Sequence, residues 1–328
     1  MSSQWTKGRL LTGVSNSTRT AASTPNWSGS SVLSRLAAAL LWLLPVAGLA
    51  DSAGHPVTMW MVEGANNRVY LLGSVHLLRE QDHPLPRAID AAYDDAETLY
   101  MELDMDDLDP LLMQATINRL GMLDEGTSLR DVMGDELYAE AARMAADLDI
   151  PLEMLERTEP WLAAITVEQL ALTRIGFNPL YGVEMHLLSK ATGDGKEILG
   201  FESVDQQLGY LDGLSLDAQR ALLMQTLSES STLREVMDDL ILAWRSGDIE
   251  YLENTLLDDV TGYPELYDTI VANRNRLWVD AIDALLERGE DYLVVVGALH
   301  LVGEDGVPRL LEQRGVRITQ MHERREIE

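Results

Sequence analysis

Two similar stretches, far apart in the chain, carry the pattern that decides the fold. Residues 69–76 read VYLLGSVH and residues 293–300 read LVVVGALH, so each is an apolar run followed by glycine, a small residue, an aliphatic residue and histidine. Continuous apolar runs are typical of strands that are buried on both faces. Glycine lets the chain turn sharply as it leaves the sheet, which would deliver His76 and His300 just beyond the carboxyl ends of two strands.

Other segments of the chain predict the remaining elements. Strands are expected at 57–63, 69–72, 98–103, 196–201, 292–296 and 316–321, with the first two forming a hairpin. Helical patterns occupy 86–96, 108–188, 204–288 and 308–314. Strands separated by helices predict an α/β fold, in which a central mixed β-sheet is flanked by helices and interrupted by long helical insertions.

The composition of the 328-residue chain excludes several classes of protein. There is no Cys, which excludes disulfide-stapled folds, Cys nucleophiles and iron–sulfur clusters. The chain has 25 Lys and Arg residues against 54 Asp and Glu residues, a formal charge of −29. A protein that binds nucleic acid needs a basic face that replaces the counterions of phosphate. We therefore expect neither nucleic acid nor an anionic membrane surface as a partner.

The first 50 residues differ from the rest of the chain. They hold four basic and no acidic residues, and residues 36–50 form the apolar run LAAALLWLLPVAGLA. This pattern is typical of a secretory signal peptide cleaved after Ala50, and the run is shorter than the ~20 apolar residues of a membrane span. Because the stretch ahead of the run is longer than a signal requires, we hypothesise that the true start is Val32. We expect residues 51–328 to form one periplasmic or secreted domain; the alternative is anchoring in the membrane by an uncleaved N-terminal segment.

Ionisable side chains follow four of the predicted strands. If those strands lie side by side with their carboxyl ends together, His76, Glu102, Glu202 and His300 converge at the edge where open α/β sheets bind ligands. Two imidazoles and two carboxylates suit a divalent metal such as Zn, Mn, Co or Fe. A bound metal could acidify water for hydrolysis, with one carboxylate acting as a base instead of a ligand.

Each of these residues also has a simpler interpretation. A histidine after a strand can be a hydrogen-bonded turn residue. Glu102 precedes the acidic stretch 104–107 and could cap the segment that follows. Glu202 precedes Ser203, and either residue could be the N-cap of the next helix.

A set of short motifs gives the chain a resemblance to the TraB/GumN family, which includes TraB and PrgY proteins and the Tiki metalloproteases. The motifs are GSVH at 73–76, ELD at 102–104, YGVE at 181–184, FES at 201–203, NRN at 273–275 and GALHLVGEDGVPRLLEQRG at 297–315. The resemblance covers most of residues 57–320 and is closest to the secreted bacterial GumN-type branch. It implies an α/β core akin to erythromycin esterase and ChaN-like proteins and, as in the Tiki relatives, metal-dependent peptide cleavage.

The resemblance also implies which residues form the site. His76 and His300 match the two family histidines, Glu102, Glu184 and Glu202 match its acidic positions, and Arg274 matches its basic position. We predict that His76, His300 and Glu202 bind the metal and that Glu102, Glu184 and Arg274 are catalytic.

Two of these residues again have a structural alternative. Glu184 is expected in the first turn of a helix, where the dipole favours an anion. Arg274 could clamp a substrate carboxylate or a developing oxyanion, or it could form a surface ion pair. The helix that follows Arg274 is expected to bury the face formed by Leu277, Ala281, Ile282, Leu285 and Leu286.

The prediction is a metal-dependent hydrolase that acts outside the cytoplasm on a peptide or a related small molecule. One alternative is a non-catalytic protein that sequesters a peptide pheromone, haem or another ligand. Another, suggested by the GumN name, is an accessory role in exopolysaccharide export. A serine hydrolase is disfavoured, because the chain has no Gly-x-Ser-x-Gly element.

Overall fold

The computed structural model describes residues 54–228 and 233–323, without the side chains of 258–261. The predictions for the first 50 residues lie outside the described residues, and a single domain over 51–328 stays a prediction. The strands are β1 (Pro56–Glu63), β2 (Arg68–Ser74), β3 (Thr98–Leu103), β4 (Glu197–Glu202), β5 (Tyr292–Gly297) and β6 (Ile318–His322).

Helices lie between all consecutive strands except β1 and β2. They are α1 (Arg87–Asp95), α2 (Pro110–Gly121), α3 (Leu129–Met133), α4 (Asp135–Asp147), α5 (Pro160–Arg174), α6 (Val183–Asp194), α7 (Val204–Asp212), α8 (Leu216–Ser228), α9 (Leu233–Ser246), α10 (Ile249–Thr261), α11 (Pro264–Tyr267), α12 (Asn273–Leu286) and α13 (Val307–Gln313). In the part of the chain that the structure describes, no helix has both the length and the apolar character needed to cross a membrane.

The strands of the described residues form one mixed sheet in the order β4-β3-β5-β2-β1-β6. The neighbours β4, β3, β5 and β2 run parallel, whereas β1 is antiparallel to both β2 and β6. A tight turn suffices between β1 and β2, but parallel strands need a long crossover, which the helical segments supply. The predicted α/β class, mixed sheet and hairpin are confirmed.

Helices cover both faces of the sheet because successive side chains of each strand point in opposite directions. Leu72 of β2 belongs to a core with Trp244 of α9 on one face. The neighbouring Leu71 belongs to a second core with Trp278 of α12 on the other face. A third apolar cluster, which includes Tyr138, Val167 and Leu223, joins α4, α5 and α8 within the helical insertions.

The face predicted for α12 is only partly right. Ile282, Leu285 and Leu286 are buried, but Leu277 is 60% exposed and Trp278 is buried in its place. Leu277 lies five positions before Ile282, which is about 140° around a helix, whereas Trp278 is four positions before it and shares its side. The large indole therefore sets the rotation of the helix.

Candidate active site

The carboxyl ends of the four parallel strands carry the predicted residues along one edge of the sheet. Glu202 ends β4, Glu102 lies near the end of β3, His300 lies in the 3-10 turn Ala298–Leu301 after β5, and His76 follows β2. This edge borders a cavity of about 620 Å³. Its polar lining includes Ser74, His76, Glu102, Gln207, Arg274 and His300.

His76 forms a pair with Glu184. Nδ1 of His76 lies 2.7 Å from Oε1 of Glu184, and its Nε2 lies on the side of Gly297, in the wall of the cavity. The Glu184 carboxylate raises the pKa of His76 above its ordinary value, although burial acts in the opposite direction. Because 59% of the His76 side chain is exposed, water screens part of this attraction.

The YGVE motif brings Glu184 to this place. A Cβ on Gly182 would stand 2.1 Å from the carbonyl oxygen of His76, so only glycine permits the chain to pass so close. The N–H of Val183 donates to the carbonyl of Val75 at 3.2 Å. Glu184 then lies in the first turn of α6, as predicted. Burial raises the pKa of its carboxyl, but the charge of His76 outweighs this and lowers it.

His300 has a different environment. The side chain is buried, and Nδ1 lies 2.7 Å from Oδ1 of Asn275. Nδ2 of Asn275 donates to the carbonyls of His300 and Asp305, so Oδ1 must be the acceptor and Nδ1 of His300 carries the proton. The lone pair of Nε2 then faces Nη1 of Arg274 at 3.2 Å.

Burial is also the main reason that His300 is neutral. Together with the charge of Arg274 it lowers the pKa of His300 to about 4, against the opposing effect of Glu102. The two histidines of the repeated motif thus differ in protonation at neutral pH.

Arg274 lies at the centre of the site. Nε donates to Oε1 of Glu202 at 2.9 Å, and Nη2 donates to Glu202 at 2.8 Å and to Oε2 of Glu102 at 2.7 Å. Nη1 donates to the carbonyl of Ile270 and to Nε2 of His300, both at 3.2 Å. All five N–H groups of the guanidinium therefore point at protein acceptors. A direct clamp on a substrate would require Arg274 to break one of these bonds.

Glu102 is held by hydrogen bonds from three elements. Oε1 accepts from the N–H of Gly297 at 2.9 Å, and Oε2 accepts from Nε2 of Gln207 at 2.8 Å in addition to Arg274. Burial raises the pKa of Glu102, but its interactions with His300, Arg274 and His76 and the Gly297 N–H lower it to about 2. Glu102 is therefore an ionised group of the site and does not cap the acidic stretch that follows it.

Glu202 lies at the predicted edge of the sheet, but its carboxylate faces other side chains of the protein. Both of its oxygens accept from Arg274, and Oε1 also accepts from Nε1 of Trp278 at 3.1 Å. It does not contribute to the cavity lining. The neighbouring Ser203, whose side chain accepts from the N–H of Gln206, is the N-cap of α7. This resolves the alternative that the sequence left open.

Four residues that build the site were not predicted from the sequence. Gly182 and Asn275 lie within the YGVE and NRN motifs, and the position next to a predicted site residue was the only signal for them. Trp278 and Gln207 offered no signal, because only the packing of α12 and α7 brings them to Glu202 and Glu102.

The predicted metal ligands are not arranged for ligation. Among residues 54–228 and 233–323, no three His, Asp or Glu side chains are placed so that they could hold one metal ion. The oxygens of Glu202 and Nε2 of His300 face Arg274 instead of one another. In this arrangement the residues do not fit a metal.

Comparisons with known proteins agree with the motifs. The chain is 25% identical over 246 residues to the uncharacterized protein YbaP of Escherichia coli K12, which covers 75% of this chain and 88% of YbaP. It is 22% identical over 304 residues to metalloprotease TIKI2 of Danio rerio, which covers 76% of this chain and 57% of TIKI2. No solved structure matches the chain significantly. The sequence profile of the TraB/PrgY/gumN family matches residues 58–320. Since the match includes most of the chain, this protein belongs to the TraB/PrgY/gumN family.

Proposed function

We propose that the chain is a hydrolase that cleaves a peptide or a related small substrate in the cavity at the carboxyl edge of the sheet. The observation that carries this proposal is the His76–Glu184 pair, which presents a ring nitrogen to the cavity beside the carboxylate of Glu102. A histidine oriented by a carboxylate and open to a substrate cavity is the usual arrangement of a proton-transfer group.

The charges of His76 and Glu102 indicate a different task for each group. The pKa of His76 is raised by Glu184, so the imidazolium can give a proton from Nε2 to the leaving group. The pKa of Glu102 is lowered to about 2, so this group stays a carboxylate and can accept a proton from an attacking water. Opposite shifts in neighbouring groups are typical of acid and base partners.

The shape of the cavity indicates the kind of substrate. A volume of about 620 Å³ is in the range of small-molecule and peptide side-chain pockets. The lining is largely aliphatic and includes Ile165, Leu172, Leu208, Leu211, Met237, Leu240, Leu256 and Ile270. A substrate with an aliphatic group next to the scissile bond would bury that group here. The name of the TIKI2 relative, a metalloprotease, supports a peptide bond as the target.

A substrate panel tests the proposal. Peptides with aliphatic and with charged side chains, and matching esters, are incubated with purified protein, both with a chelator and with Mn²⁺ added. We expect turnover of aliphatic substrates, and we expect His76→Gln to lower kcat/KM by roughly 100-fold or more. The matched control is His322→Gln, because His322 is exposed on the edge strand β6. Stoichiometric capture of a ligand without turnover would contradict the hydrolase and favour a sequestering protein.

We also propose that the protein acts outside the cytoplasm, on the basis of the apolar run at 36–50. Fractionation and N-terminal sequencing of the expressed chain test this. A periplasmic or secreted product that begins near Asp51 supports it, and a cytoplasmic product that keeps residues 1–50 contradicts it.

A further inference from the structure

Three groups of the site point at the same guanidinium. Arg274 contacts Oε2 of Glu102, both oxygens of Glu202 and Nε2 of His300, at distances between 2.7 and 3.2 Å. Two carboxylates and one imidazole nitrogen are also the donor set that a divalent cation such as Zn²⁺ or Co²⁺ would use.

The position of Arg274 is firmly determined. Its side chain is 6% exposed, and the guanidinium carbon lies 4.6 Å from the ring of Trp278 and 5.7 Å from the ring of Tyr210. Nη1 of Arg274 also donates to the carbonyl of Ile270. Hydrogen bonds in the plane and aromatic rings near it leave the group little freedom to withdraw.

A metal ion and this guanidinium would compete for the same lone pairs. His300 shows this most clearly, since Asn275 holds the proton on Nδ1 and leaves Nε2 as the only lone pair of the ring. A dication that approached Glu102, Glu202 and His300 would also meet the charge of Arg274 in a buried, weakly screened environment. A divalent metal ion and the guanidinium of Arg274 cannot occupy the site at the same time.

We propose that Arg274 is the resident cation of this site, in the position where metalloenzymes place a metal, and that the native chain therefore binds no divalent metal through Glu102, Glu202 and His300. The guanidinium donates to both buried carboxylates and to Nε2 of His300, so the lone pairs that a metal would use are already occupied. The proposal does not depend on the hydrolase activity, because metal uptake can be measured without a substrate.

The experiment titrates Co²⁺ into purified full-length protein and follows its visible absorption and, by equilibrium dialysis, the bound metal. We expect no bound Co²⁺ at these residues in the wild type. Arg274→Gln frees two carboxylates and an imidazole, so we expect it to raise the affinity for Co²⁺ by roughly tenfold or more. Arg276→Gln is the matched control, since Arg276 is half-exposed on the same helix and pairs with Asp305. Adding His300→Ala to Arg274→Gln should abolish the gain.

Other results would overturn the proposal. One equivalent of Co²⁺ bound by the wild type and lost in His300→Ala would mean that the metal displaces Arg274. A folded Arg274→Gln variant that gains no affinity would mean that the freed groups are not a metal donor set. If Arg274→Gln does not fold, Arg274→Lys keeps the charge and the wild-type titration still decides. A failed substrate panel with the expected Co²⁺ results would reject the hydrolase alone.

Discussion

His76 and His300 come from the same short motif, yet their surroundings give them opposite protonation. His76 borders the cavity and its Nδ1 faces a carboxylate, which favours the imidazolium. His300 is buried, its Nδ1 faces the neutral amide oxygen of Asn275, and its Nε2 faces a cation, which favours the neutral ring. The proposed proton transfer therefore falls to His76, whereas Nε2 of His300 is engaged by Arg274.

The first prediction concerns the charge of His76. Glu184→Gln replaces the carboxylate by a neutral amide, so the pKa of His76 should fall, because the largest cause of its raised value is the charge of Glu184. NMR titration of the ring measures this directly: the imidazolium of the wild type should persist to higher pH than that of the variant. An unchanged titration curve in Glu184→Gln would contradict the assigned pair, and His322 in the same spectra is the internal control.

The two glycines of the repeated motif show how an element positions the site. Glycine was expected at both positions for a sharp turn, but neither Gly73 nor Gly297 adopts a positive φ, so backbone conformation alone does not require glycine there. A Cβ on Gly73 would stand 2.8 Å from Cγ2 of Thr58 and 3.2 Å from Cα of Ala298. Gly73 is thus required by close packing between β2, β1 and the turn after β5.

Gly297 differs from Gly73, because a side chain at position 297 would face the site. A Cβ there would stand 3.4 Å from Oε1 of Glu102, 3.6 Å from Nε2 of His76 and 3.7 Å from Cδ2 of His300, all ordinary contacts. A methyl group at this position would therefore fill cavity space between Glu102, His76 and His300.

A matched pair of substitutions tests this contrast at the element scale. Gly73→Ala should lower the free energy of unfolding by about 1–3 kcal/mol, because the packed neighbours must move. Gly297→Ala should leave stability nearly unchanged but shift the ring resonances of His76 and block turnover. Urea unfolding and NMR measure the two effects. Equal destabilisation by both variants would contradict the assignment of Gly297 to the cavity wall.

The helix that carries Arg274 begins with an irregularity. A π-helical segment at Asp268–Ala272 directly precedes α12. Such segments are frequent at functional sites, because the widened turn changes which backbone groups are bonded. Here the carbonyl of Ile270 accepts from Nη1 of Arg274. The segment therefore helps to hold the guanidinium at the end of the sheet.

At the scale of the whole molecule, burial of a neutral His300 links stability to pH. Its pKa is about 4 in the folded chain against an ordinary 6.5. Between these values the unfolded chain binds a proton that the folded chain does not bind, so the free energy of unfolding falls as the pH is lowered through this window. The full effect is on the order of 3 kcal/mol. Glu102, with its pKa lowered from 4.5 to about 2, adds a further loss only below pH 4.5.

Urea unfolding of the wild type and of His300→Gln between pH 6.5 and about 4 measures this contribution. We expect a less stable variant whose stability depends less on pH in that window. Subtracting the free energy of unfolding of the variant from that of the wild type cancels the contributions of other titrating groups. One of these is Asp104, whose pKa is raised by burial to about 6 and whose effect on stability has the opposite sign. If the free energies of unfolding of the two proteins differed by the same amount at every pH, a neutral, buried His300 would be contradicted.

The sequence by itself predicted the strands and the ionisable residues at their ends, because apolar runs and strand ends are local patterns. Parallel pairing of β4, β3, β5 and β2 then brings four distant segments to one edge. The α/β class and the family resemblance followed from the same patterns.

Only the tertiary structure decided which groups meet within the site. The partners of Arg274 include Glu102 and Glu202, 172 and 72 residues away, and the partner of His76 is 108 residues away. Side-chain pairing over such separations depends on the rotation of α12 and the path of the chain through Gly182, which packing sets and no local pattern encodes. For this reason the sequence could name the acidic residues, the histidines and Arg274, whereas only the fold shows that the guanidinium lies between Glu102, Glu202 and His300.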